Sequence, residues 1–121
     1  MARVIHFEVL GEDPEKTAEF YKQALGWEAN SWPGGEQTYW LCTTGPEGPP
    51  GINGAIMGKH FGQPVINTVE AESLEEATAN IEKAGGKRVT QPSEIPEVGL
   101  HAYFEDPDGT LFGVLQPAPE S

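Results

Sequence analysis

Sixty residues separate two copies of one pattern in this 121-residue chain. Asp13 falls on Ser73, Val9 on Val69 and Gly26 on Gly86. Each copy has a short alternating strand, a polar residue placed to cap a helix, a helical stretch, a glycine stop and further strands. A duplication constrains the fold more than any single motif, because both halves must bury their apolar faces with the same elements.

In the first copy, Asp13 can cap the first helical turn and Pro14 suits the first helical position. Thr17, Phe20 and Ala24 then lie along one stripe, with Tyr21 and Leu25 beside it, which is helical spacing. In the second copy "SLEE" is a capping box, Ser73 reaching the N–H of Glu76 while Glu76 reaches back. Leu74, Ala77, Ile81 and Ala84 continue an apolar stripe, and Gly85 and Gly86 end it. Strands are expected before each helix, then at "WEANSW", "QTYWLCTT" and "INGAIM" after the first and at "KRVT", "LHAYFE" and "TLFGVLQ" after the second. "DPDG" is a tight turn, and "TGPEGPPG" is a loop too rich in breakers to be anything else. The pattern predicts an α+β domain of two βαβββ units with eight mostly antiparallel strands. The first unit covers residues 1–60 and the second 61–117, with 118–121 a frayed tail.

The segments "IHFEV", "DPEKTAEFYKQALGW" and "YFEDPDGTLFGVLQ", in this order and spacing, resemble the vicinal oxygen chelate superfamily. That superfamily includes glyoxalase I, bleomycin resistance proteins, fosfomycin resistance enzymes and extradiol dioxygenases. The chain looks most like its short glyoxalase-like members. The resemblance covers nearly the whole chain and implies an open cup of strands with the helices outside, commonly in a homodimer. Enzymatic members hold a divalent metal in the cup, which acts as a Lewis acid on a substrate with two neighbouring oxygens. Its ligands come from the first and last strands of each unit.

Strand parity says which side chains face that cup. Ile5, Phe7 and Val9 claim the helix side of the first strand, leaving Val4, His6, Glu8 and Leu10 opposite. In "LHAYFE", Leu100, Ala102 and Phe104 take the helix side, so His101, Tyr103 and Glu105 turn away from it. In the first strand of the second unit, Ile66, Thr68 and Glu70 are expected on the cup side. His6, Glu8, His101 and Tyr103 are therefore the candidate ligand-binding residues, expected to line one cavity. His6 stands where the resemblance puts the first metal ligand. Its repeat mate is Ile66, Gly113 stands where "DPDGxxxE" would supply a glutamate, and the matching place in the first unit falls at Asn53 or Gly54. One good ligand out of four does not hold zinc, nickel or iron, so the expectation is no resident metal or other cofactor. For His6, a bond within the sheet without function and contact with a ligand both remain open. Trp27, Trp32 and Trp40 are read as core or dimer interface.

Charge and composition exclude other classes. A formal net charge of −12 repels nucleic acid and anionic lipid, and no basic patch overrides it. No run approaches the length of a membrane helix, and nothing resembles a signal peptide. The single cysteine, Cys42, excludes an internal disulfide, points to a cytoplasmic setting and sits in a strand as a small hydrophobe. There is no phosphate-binding loop, Gly-x-Ser-x-Gly or HExxH. Three functions are consistent with these residues. The first is a metal-independent small-molecule binder of the bleomycin-resistance kind. The second is a glyoxalase-like lyase or isomerase in which His6, Glu8 or His101 does acid–base work, with or without an unorthodox metal. The third is a dimeric regulatory or stress-response module with no small ligand.

Overall fold

The computed structural model describes residues 1–32 and 39–119. Gln37 and Thr38 of the expected third strand, and residues 120–121 of the expected tail, lie outside the described residues. The elements run β1 (Val4–Gly11), α1 (Pro14–Leu25), β2 (Glu28–Ser31), β3 (Tyr39–Thr43), β4 (Gly54–Gly58), β5 (Val65–Glu70), α2 (Leu74–Lys83), β6 (Lys87–Arg88), β7 (Ser93–Ile95), β8 (Gly99–Glu105) and β9 (Leu111–Pro117). All eight expected strands are present. Among the described residues there is one additional strand, β7, three residues between Pro92 and Pro96, paired with β8 through Ser93–His101 and Ile95–Gly99. Two flanking prolines disguise it as loop in the sequence, yet prolines are tolerated at the ends of an edge strand.

Two compact units form, His6–Ile66 and Met1–Ile5 with Asn67–Ser121. In the first, the strand order is β2-β3-β4-β1, antiparallel except for the parallel β1–β4 pair. In the second the order is β5-β9-β8-β6, with β5–β9 parallel and the β9–β8 and β8–β6 pairs antiparallel. The repeat read from sequence is thus a repeat of topology. The helix starts form as capped: Asp13 Oδ1 accepts from Lys16 N at 3.3 Å and Ser73 Oγ from Glu76 N at 3.1 Å. Gly26 adopts φ 78° at the end of α1. At the end of α2, Gly86 N reaches Ile81 O at 2.9 Å and Gly85 N reaches Glu82 O at 3.1 Å, which is a Schellman closure made possible by φ 101° at Gly85. Beyond β9, Ala118 N donates to Val98 O at 2.9 Å.

Each helix packs on one face of its own unit's sheet. Under α1 the buried core is Ala18, Cys42 and Ile56, flanked by Val9, Tyr21, Trp27, Ala29 and Trp40. The apolar stripe expected on α1 is corrected here, since Phe20 and Leu25 are 61% and 59% exposed. Ala18 lets the helix approach the sheet closely, and Tyr21 then stacks on Trp27 at 4.7 Å, which rotates Phe20 and Leu25 outward. Under α2 the core is Leu74, Ala102, Phe104 and Val114, with Val69, Ala77, Ile81, Leu100 and Phe112 around it. Here the predicted stripe stands apart from Ala84, which is the exposed C-cap.

Candidate functional site

Strand parity places one polar cluster in each unit. Phe7 and Val9 pack on the α1 side, Phe7 against Trp27 with ring centroids 5.6 Å apart. That leaves His6 and Glu8 on the opposite face of β1, and both reach Tyr39 on β3. The Tyr39 hydroxyl donates to Glu8 Oε2 at 3.0 Å, and His6 Nε2 lies 3.0 Å from the same hydroxyl. A phenol has one proton to give, so with that proton on the Glu8 carboxylate its oxygen accepts from His6 Nε2–H. Glu8 is only 4% exposed, and a buried carboxylate needs such a donor. His6 is half-buried, and desolvation pushes its pKa below the ordinary 6.5.

Tyr39 did not emerge as a site residue from the sequence. The available signal was its neighbour: Trp40 belongs to the α1 core and pairs with Ile56, so Tyr39 must face the other way.

The second cluster surrounds Gly113 on β9. Ala102 and Phe104 lie in the α2 core, so His101 and Tyr103 share the other face of β8, where their rings meet edge to face at 4.6 Å. Gly113 pairs with Tyr103 on one side and with Thr68 of β5 on the other. A Cβ on Gly113 would lie 2.6 Å from His101 Nε2 and 2.6 Å from Thr68 Oγ1. The imidazole and the hydroxyl therefore occupy the space through which a side chain at this position would leave the backbone. Thr68 is 3% exposed, and its Oγ1 has no hydrogen-bond partner.

These residues do not fit the metal that the resemblance implies. Gly113 has no donor side chain, a Cβ there would require the His101 and Thr68 side chains to shift, and Ile66 is fully buried. The register also corrects the fourth position. Thr68 pairs with Gly113, and the repeat mate of Thr68 is Glu8, which pairs with Ala55. Ala55, neither Asn53 nor Gly54, is thus the counterpart of Gly113, and a methyl donates nothing. Asn53 spends its Oδ1 on Thr44 N at 2.9 Å, while a Cβ on Gly54 would strike the Phe7 ring at 2.6 Å. Among the described residues, no group of three or more His, Cys, Asp or Glu could hold a metal ion. Cys42 is 2% exposed and burial raises its pKa, so it is an inert core thiol. A cavity of about 330 Å³ beside α2 and β6, lined by Thr78, Glu82, Lys87, Arg88, Val89, Thr90 and Gln91, includes none of the four candidate residues.

Duplicated βαβββ units of this topology define a class of small α+β domains. The chain belongs to the Glyoxalase/Bleomycin resistance protein/Dioxygenase superfamily, whose family model matches residues 3–114. Over 49 residues it is 39% identical to CFP32 of Mycobacterium tuberculosis, a candidate glyoxylase, covering 40% of this chain and 19% of that protein. The chain therefore spans less than a fifth of that relative's length. Among solved structures it is similar to a methylmalonyl-CoA epimerase of Streptomyces coelicolor, with TM-score 0.73 and 16% identity over 98% of this chain and 99% of that one. A protein of Bacillus halodurans, BH1468, gives TM-score 0.73 and 11% identity over 99% and 97% of the two chains. At these identities the structural likeness establishes the fold.

The lowered pKa of His6 has a stability consequence. The unfolded chain takes up a proton on His6 near pH 6.5, before the folded chain does. Between those two pKa values the unfolded state binds more protons, so stability rises with pH. The contribution is fully present above 6.5 and is lost as pH falls through the lowered folded value. Melting curves from pH 7.5 to 5 should fall more steeply for the wild type than for His6→Gln. Parallel curves would show that His6 titrates normally.

Proposed function

We propose that this chain is a small-molecule-binding member of its superfamily that works without a divalent metal, contacting its ligand through His6, Glu8, His101 and Tyr103. The single observation that carries the reading is Gly113, whose side-chain space belongs to His101 and Thr68. A position that supplies a metal ligand in the family pattern is given over here to an imidazole and a hydroxyl suited to hydrogen bonding. Binding pockets commonly place a few such polar groups on an aromatic lining, and Tyr103 beside His101 supplies both.

Elemental analysis of protein purified without a His tag, then titration with zinc, nickel and manganese, tests this reading. We expect substoichiometric metal that a chelator removes, and a thermal-shift screen in which organic ligands raise Tm while metals do not. Near-stoichiometric metal that survives dialysis and disappears in His6→Ala overturns it.

A second reading, a lyase or isomerase, is favoured by the His6–Tyr39–Glu8 chain, since a buried carboxylate acting through a phenol orients an imidazole for acid–base work. Methylmalonyl-CoA epimerases show that this scaffold can host catalysis, and at 16% identity they transfer no residue role to this chain. The proposal includes a cytoplasmic setting, in keeping with one buried free cysteine. Among the described residues no helix is long and apolar enough to cross a membrane. It also includes a homodimer, the commonest way for sheets with free edges to cover them. Light scattering at tens of micromolar should give twice the 13.1 kDa chain mass, and a mass of 13.1 kDa rejects the dimer.

A further inference from the structure

We propose that Glu8 and Tyr39 are positioning residues that set the hydrogen-bond polarity of His6, leaving its Nδ1 as an acceptor for a ligand that brings an uncharged O–H or N–H group. This inference rests on the metal-independent reading of the site, because a metal would take the imidazole lone pair instead. The chain of bonds runs one way. Glu8, as a carboxylate, can only accept, so the Tyr39 proton points to Oε2 at 3.0 Å. The Tyr39 oxygen then offers a lone pair to His6 Nε2 at 3.0 Å, which must carry the ring proton. A neutral imidazole protonated on Nε2 has a bare Nδ1.

Among the described residues Nδ1 has no hydrogen-bond partner, although the ring is half-buried. An acceptor held in one orientation without a donor is a recognition feature. The class of ligand follows from charge as well as polarity. The Glu8 carboxylate is 4% exposed and lies one phenol away from the imidazole, so an anionic group is repelled there. A neutral enol, phenol, alcohol or amide N–H satisfies Nδ1 at no such cost. Isosteres lacking the proton leave Nδ1 unpaired, and that asymmetry gives hydrogen-bonded pockets their discrimination.

Long-range ¹H–¹⁵N spectra of the His6 ring, recorded in the presence of EDTA, test this directly. In the wild type we expect the Nε2–H tautomer alone. Glu8→Met removes the acceptor of the Tyr39 proton and leaves His6 Nε2 as the acceptor 3.0 Å from that hydroxyl, so the ring should move to the Nδ1–H tautomer. Tyr39→Phe should give a mixture of the two, and it keeps a readout if Glu8→Met fails to fold. With phenol, which stays un-ionised at neutral pH, as probe, the wild-type Nδ1 resonance should shift, whereas anisole, which has no proton to donate, should leave it in place. An Nδ1–H tautomer in the wild type, tautomers unchanged in the folded variants, or a resonance that answers both probes alike or neither overturns the proposal. Because EDTA is present throughout, a tight metal site would show itself in the separate metal titration, so failure of the two readings can be told apart.

Discussion

Phe104→Ala should destabilise the protein by about 3–5 kcal/mol, a large share of the roughly 5–15 kcal/mol that holds a domain of this kind together. Phe104 is fully buried, packed with Leu74, Ala102 and Val114 and stacked on Phe112 at 5.9 Å. Its ring joins α2 to the β8–β9 pair. Truncation forfeits the transfer energy of the ring and leaves a cavity that neighbours held by sheet hydrogen bonds cannot fill. In a chain of this size the loss corresponds to a fall in Tm of roughly 10–20 °C. Urea unfolding should show a lower midpoint with an unchanged slope. A loss below about 1 kcal/mol would mean that the core closes over the gap and that Phe104 is not its centre.

Gly113→Glu, which would install the residue type that completes "DPDGxxxE", should destabilise the protein by about 3 kcal/mol, and metal should not restore it. Its Cβ alone would come within 2.6 Å of His101 Nε2 and of Thr68 Oγ1. His101 is braced by Tyr103 at 4.6 Å, so moving it aside also breaks an aromatic contact. The carboxylate would enter a buried position facing Thr68, which is 3% exposed, and an incompletely paired buried charge adds to the cost. Ile66 and Ala55 still offer no donor, so zinc, nickel or manganese should not raise the melting temperature of the variant. A metal-dependent recovery would show that the family's site can be rebuilt by one side chain, and would count against a pocket shaped for hydrogen bonding.

Much of this protein is legible without a structure, for local reasons. Asp13, Ser73, Gly26 and Gly85 act on backbone groups within a few residues of themselves, so the two helix starts and stops can be read directly. The alternation in β1 and β8 separates Phe7 and Val9 from His6 and Glu8, and Ala102 and Phe104 from His101 and Tyr103, because strand geometry has a period of two. Residues such as Ile66 and Gly113 reveal a missing donor by identity alone.

What the tertiary structure decided concerns contacts between residues far apart in the chain. The buried face of α1 depends on which helix rotation lets Ala18 meet Ile56, and helical spacing alone favoured Phe20 over Ala18. The short strand β7 exists because β8 offers it a ladder, an opportunity invisible between two prolines. The pairing of β1 with β4 made Ala55 the counterpart of Gly113, which no sequence offset predicts because the loops of the two units differ in length. The bonds from Tyr39 to Glu8 and His6 span 31 and 33 residues. Composition and periodicity choose the face on which a side chain lies, but only the packed sheet brings a phenol from one strand within 3.0 Å of a carboxylate and an imidazole on another.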